Sequence, residues 1–194
     1  MTTTLTRGGE GLDRRGFSFA DIEAMLEADI LNPDEKFELI DGEIVPMNAQ
    51  NMPHMMWKSR INRWFVYHLP KTLVLVPEAT LRLIDKPRAN TFETDLLIFQ
   101  PEPEATAIRA PMVRLAIEVA DTSITRDAAI KAPRYGKAGV VELWVVDVVE
   151  RRTIRHRQPG ASGYDDIETI DFSDAIAPLF DPSLVLRLAD LEDS

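Results

Sequence analysis

Apolar and polar positions alternate along this chain in blocks of strand and helix length, and the clearest set lies between Pro111 and Asp147. Met112 to Ala120 is an apolar run rich in Val and Ile that ends in Asp121, Thr122 and Ser123, which predicts a strand stopped by a polar turn. Ser123 or Thr125 then caps a predicted helix whose first turn carries Asp127, an acid well placed against the positive end of the helix dipole. Gly139 ends that helix. The run VVELWVVD, Val140 to Asp147, follows as a second strand, apolar on both faces apart from Glu142, as in a sheet covered on both sides. Strand, helix and strand in this order imply a right-handed crossover.

Upstream, Ser18 and Asp21 have the spacing of a capping box, and Phe19, Ile22, Met25 and Leu26 recur at helical spacing, so a short helix is predicted there. After a turn at Asn32, Pro33 and Asp34, the stretch FELIDGEIVPM places Asp41-Gly42 between two short apolar runs, a hairpin signal. Glu38 and Glu43 lie on its arms and are read as exposed residues of a half-solvated hairpin. From Asn51 to about Leu69 the pattern is helical, with Pro53 in the first turn and Trp57, Ile61, Trp64, Phe65 and Leu69 forming one apolar stripe. That stripe reads as core, and Lys58, Arg60 and Arg63 fall off it. Leu73 to Val76 and Thr80 to Ile84 read as a strand or a bulged pair interrupted by Pro77. Phe92 to Gln100 is another strand, followed by a loop rich in Pro and Glu over residues 101 to 111. Beyond Asp147, a hairpin is predicted with its arms joined through Pro159, Gly160 and Gly163, and the tail from Asp171 packs as a closing strand and turn.

At 194 residues and 45% hydrophobic content, the chain has room for one domain with a full core. The expected organisation is a flexible segment over residues 1 to 16 and a single domain over 17 to 194. No apolar run approaches the roughly 18 residues needed to span a bilayer, and MTTTLTRGGE leads into no signal-like stretch, so a cytoplasmic protein without a membrane partner is expected. The absence of cysteine excludes disulfides and thiolate metal sites.

The formal charge of −10 argues at first against nucleic acid, which is bound through Lys and Arg. Its distribution changes that picture. Residues 51 to 90 hold seven basic and two acidic groups, and residues 120 to 160 hold eight and five, whereas residues 91 to 119 between them hold two and five. Two basic segments thus flank an acidic one, as around a metal pocket with phosphate-attracting rims. Arg60, Arg63, Arg152 and Arg155 are the candidate phosphate contacts. His54, near a helix start, is a further candidate, although a lone His is more often a partly exposed polar residue.

No G-x-S-x-G elbow, G-x-x-x-x-G-K loop or H-E-x-x-H helix occurs, so acyl-transfer, P-loop and zincin chemistries lack their parts. What remains is a carboxylate constellation. Glu118 lies inside an apolar strand, where an ionised carboxylate needs solvent, a cation or a metal. Asp95 begins the strand segment LLIF, and Lys131 lies on the helix after Glu118. Hard oxygen ligands of this kind suit Mg²⁺ or Mn²⁺.

The stretches FELIDGEIVPM, TDLLIF and LAIEVADTSITRDAAIKAPRYGKAGVVELWVVD, with the start of the His54 helix, together resemble the Uma-type family of putative restriction endonucleases, within the PD-(D/E)XK nuclease superfamily. The resemblance covers roughly residues 17 to 190. Its most specific part is the ordered set Glu118, Val119, Asp127, Lys131, Tyr135, Ala138 to Val140, Glu142, Trp144, Val146 and Asp147. It implies an α/β, mixed α+β, fold with a restriction-endonuclease-like core, a mixed β-sheet flanked by helices. It also implies that Asp95 and Glu118 are metal-binding carboxylates, with the Val119 carbonyl as a third ligand and Glu38 as an accessory acid. Thr94 stands where the superfamily name has Pro, a change without chemical consequence. Ala120 stands where it has Lys, and the family pattern has Lys131 supply that ammonium from the next helix. The competing expectation for Lys131 is a surface pair with Asp127 at i,i+4, worth only about 0.3 to 0.5 kcal/mol.

The function implied is Mg²⁺- or Mn²⁺-dependent hydrolysis of DNA phosphodiester bonds, with a homodimer as the simplest way to cut two strands. The alternative is a non-catalytic nucleic-acid or protein interaction module on a decayed nuclease fold, motivated by Ala120 and the acidic net charge.

Overall fold

Ser18, in extended backbone, accepts the Asp21 N–H on its side chain while the Asp21 carboxylate takes the Ser18 N–H at 2.8 Å, so the first helix begins on a reciprocal cap. In the computed structural model, which describes residues 5–7, 13–32, 34–47, 49–84, 88–121, 124 and 126–192, that helix is α1, Phe19–Glu27. Two short strands precede it, β1 (Leu5–Arg7) and β2 (Asp13–Arg15), paired antiparallel. The remaining elements are β3 (Phe37–Ile40), β4 (Glu43–Pro46), α2 (Met52–His68), β5 (Val74–Ile84), β6 (Asn90–Phe99), β7 (Ile108–Arg109), β8 (Val113–Ala120), α3 (Ala132–Lys137), β9 (Glu142–Asp147), β10 (Arg152–Gly160) and β11 (Gly163–Asp171). The protein is a mixed α+β fold with a mixed sheet of nine strands flanked by helices. Among the described residues no helix is long and apolar enough to cross a membrane.

The chain divides into two compact units. In the first, residues 1–49 and 80–93, β3 and β4 are joined by Asp41 and Gly42 at φ 51° and 79°, the left-handed pair that a two-residue hairpin of the favoured hand requires. Ile22, Leu39 and Ala89 form its buried core, with Phe17, Phe19, Met25 and Phe37 packed against them. The exposure expected for both hairpin acids is corrected. Glu43 is half-buried, but Glu38 is only 1% exposed, because Glu38 and Leu39 are both covered and neither face of β3 is solvated.

In the second unit, residues 50–79 and 94–194, the strand order is β11-β10-β9-β8-β6, parallel between β8 and β9 and antiparallel elsewhere. β8 and β9 are therefore joined by a crossover connection. Asn51 caps α2 with its side-chain oxygen, and the helix buries Trp57, Ile61 and Phe65. These three pack on Leu96, Ile98, Leu115, Ile117, Val119, Trp144 and Val146, and the tail residues Phe172, Ile176, Leu186, Leu188 and Leu191 close the cluster. Each such side chain contributes about 1.5 to 3 kcal/mol by leaving water. Because side chains alternate along a strand, using 115, 117 and 119 against α2 leaves Glu118 on the opposite face of β8.

Three local expectations are revised. Pro77 does not break β5, which runs unbroken while Glu78 takes the irregularity at φ 51°. The helix after β8 is not uniform: Arg126–Lys131 winds as a π-helix and only Ala132–Lys137 is α-helical. Pro133 accounts for the change, since it has no N–H and its ring crowds the carbonyl four residues back, which a wider turn relieves. The tail closes with an isolated bridge, Ile176 to Leu186, and a 3₁₀ turn over Leu188–Leu191. The proposed caps Ser123 and Thr125 lie outside the described residues.

Candidate active site

The ladder between β6 and β8 pairs Leu96 with Ile117 as its last step at this end, so Asp95 and Glu118 are the next positions on neighbouring strands. Beyond that step a side chain replaces the backbone acceptor: Asp95 Oδ2 receives the Val119 N–H at 2.8 Å. Its other oxygen, Oδ1, faces α2 and the residue leading into it. His54 Nε2 lies at 2.9 Å, Gln50 Nε2 donates at 3.3 Å, and Lys58 Nζ lies at 3.9 Å. Asn51 ties the start of α2 to the end of β8 through Asp121.

Glu118 is 2% exposed, and two donors share its Oε1: the Tyr135 hydroxyl at 2.6 Å and Lys131 Nζ at 3.3 Å. Tyr135 has one proton and gives it to Glu118, so the Thr94 hydroxyl, 2.7 Å away, donates to the Tyr135 oxygen. Lys131 also lies 3.6 Å from Asp127, and the pair is buried. The i,i+4 pair expected at the surface is therefore real but interior. Burial pushes the Glu118 carboxyl from 4.5 up to about 8, Lys131 and Tyr135 oppose the shift, and Asp95 and Asp127 add to it.

The remaining residues singled out in the sequence are distributed unevenly. Glu38 lies buried on β3, in the first unit. The Val119 N–H is committed to Asp95. Arg60 donates to the Glu192 carbonyl at 2.7 Å and lies over the Trp57 ring. Arg152 pairs with Asp147 at 3.1 Å, and Arg155 pairs with Glu168. Arg63 is exposed and makes no ion pair among the described residues. Sequence reasoning missed Gln50 and Lys58 as neighbours of Asp95, took Thr94 to be without chemical consequence although its hydroxyl backs Tyr135, and read Asp127 as a helix-dipole acid and a surface partner of Lys131. The i,i+4 spacing of His54 and Lys58 was the available signal for Lys58; none existed for Gln50.

Among the described residues no group of three or more His, Asp or Glu side chains forms a metal cage. The donor set does suit a hard cation that keeps most of its waters, which needs only one or two carboxylates. Two carboxylates stand side by side, and Glu118 Oε2 receives no hydrogen bond among the described residues. Burial is the main cause of the raised Glu118 carboxyl, and the neighbouring Asp95 and Asp127 add to it, so a bound cation would relieve both.

The family model Uma2, described as a putative restriction endonuclease, matches residues 19–189. No curated protein matches the chain. Among solved structures, the crystal structure of a putative nuclease belonging to DUF820 from Anabaena variabilis ATCC 29413 superposes with a TM-score of 0.66 at 17% identity, covering 86% of this chain and 95% of that one. At that identity the likeness is one of fold.

Proposed function

The chain belongs to the Uma2 family of putative restriction endonucleases, and from that premise we propose that it hydrolyses DNA phosphodiester bonds at a metal-dependent site built on Asp95 and Glu118. The observation that carries this reading is the convergence of Asp95, Glu118 and Lys131 in one buried cluster. Burying charges costs several kcal/mol each unless they are paired, and chains that lose the use of such a cluster have every thermodynamic reason to lose the charges as well.

Asp95, Glu118 and the Val119 carbonyl would hold Mg²⁺ or Mn²⁺, which on binding polarises the scissile phosphate and acidifies a water. The side chains prepare the rest. His54, Gln50 and the Val119 N–H fix both oxygens of Asp95, while Tyr135, backed by Thr94, fixes Oε1 of Glu118. Lys131 favours the charged form of Glu118 and supplies, from the following helix, the ammonium absent at Ala120. It offsets negative charge that develops at the phosphate. A homodimer would cut two strands. Purified protein should nick plasmid DNA with Mg²⁺ or Mn²⁺, and Asp95→Asn or Glu118→Gln should reduce the rate at least about 100-fold, the scale on which single groups in electrostatic catalysis act. Equal nicking by wild type and both variants would place the chemistry elsewhere.

A non-catalytic module on the same fold is the competing reading. The pairing of Arg152 and Arg155 with acids favours it, because neither guanidinium is left to a phosphate without breaking an ion pair.

A further inference from the structure

One oxygen of Asp95 is offered more donors than it can use. His54 at 2.9 Å and Gln50 at 3.3 Å already occupy Oδ1, yet Lys58 brings an ammonium to 3.9 Å as well. All three come from the start of α2 or the residue leading into it, and none is needed for the apolar contacts of that helix, which Trp57, Ile61 and Phe65 make. The protons of Lys58 are directed mostly elsewhere, to Gln50 Oε1 at 2.5 Å and to Glu78 Oε1 at 2.6 Å. Glu78 is at the rim, with its side chain 41% exposed, and it stands at φ 51°, a left-handed backbone that a glutamate adopts only when its surroundings hold it there. Lys131 differs: only 3% of its side chain is exposed, and its charge lies between Glu118 and Asp127. An ammonium in that position serves the carboxylates, whereas Lys58, 11% exposed and paired with the more exposed Glu78, can change partners.

We infer that Gln50, His54 and Lys58 form a seat for a DNA phosphate beside the two carboxylates, in which Lys58 meets the phosphate and Glu78 is the counter-ion it leaves to do so. This assignment rests on the nuclease reading. The exchange is chemically balanced, since one hydrated anion replaces another on the same ammonium and the released Glu78 carboxylate returns to solvent. It divides the work of the two lysines: Lys131 favours the charged form of Glu118 against its burial, and Lys58 binds substrate.

The test is binding of a short DNA duplex, followed by fluorescence anisotropy across a salt series with Ca²⁺ in place of the catalytic ion, beside Mn²⁺ calorimetry. Lys58→Gln should weaken duplex binding and lower the slope of log affinity against log salt by about one, the signature of one lost phosphate contact. Its Mn²⁺ affinity should not fall, because a repelling cation has been removed. Lys58→Arg should restore the slope, and Glu78→Gln should tighten duplex binding by freeing the ammonium. If wild type binds and nicks DNA but Lys58→Gln and Glu78→Gln match it in affinity and slope, the seat is elsewhere while the nuclease reading stands. A wild type that takes up Mn²⁺ and binds no duplex overturns both.

Discussion

Glu118 shows how one side chain can be costly and useful together. Its carboxyl is raised from 4.5 to about 8 by burial, so between those values the folded metal-free protein holds a proton that the unfolded chain releases. Stability from this group is therefore complete below about pH 4.5 and is lost as pH rises through 8. Glu118→Gln should abolish that slope and, without metal above pH 8, melt above wild type by about 2 to 4 °C for each kcal/mol of repulsion relieved. Thermal melts at several pH values in chelator check this; a wild type whose melting point is flat from pH 5 to about 8 would contradict it. Asp95, Glu118 and Lys131 were legible in the sequence because carboxylates at strand ends and a lysine on the next helix stand out against apolar runs. Lys58 and Gln50 were not, since what makes them relevant is a distance to Asp95 across a helix–sheet contact. Glu38 was misread for a similar reason: the pattern of a hairpin does not reveal that both of its faces are covered.

Among the elements, α3 carries Lys131 at its N-terminal boundary and Tyr135 within it, and its seating decides where both point. A methyl group on Gly136 would come within 2.3 Å of the Gly163 carbonyl oxygen, so the helix rests directly on the turn between β10 and β11. Gly136→Ala must push α3 away from backbone that cannot yield cheaply. It should cost about 1 to 3 kcal/mol, as overpacking does, and also lower Mn²⁺ affinity by moving Tyr135 off Glu118. Denaturant unfolding and calorimetry on the variant test this together; unchanged values in both would mean that α3 is seated by other contacts. The sequence marked Gly139, which ends the helix at φ 89°, because a helix stop is a local signal. Gly136 sits mid-helix and owes its place to a partner 27 positions away in the chain, which no local pattern records. A proline at 133 announces a disturbed helix, but the form it takes here, a π-helical turn over Arg126–Lys131, is not written in the local pattern.

For the molecule as a whole, the alternation of a charge-poor core and segregated charge was visible early, and so was the strand–helix–strand unit that anchors the mixed sheet. The basic segments proved less available than their counts suggest, because Arg152 pairs with Asp147 on the adjoining strand β9 and Arg155 with Glu168 on β11. Arg63, exposed on α2, should accordingly matter more to duplex affinity than Arg155. Arg63→Gln is expected to lower the salt slope by about one and Arg155→Gln by much less, with anisotropy titrations deciding. The most direct test of the central claim, that Asp95 and Glu118 share one hard cation, is Mn²⁺ titration calorimetry of wild type, Asp95→Asn and Glu118→Gln near pH 8. The account expects saturable binding by the wild type and its loss in both variants, each still folded by circular dichroism; binding by either folded variant with wild-type affinity would contradict it.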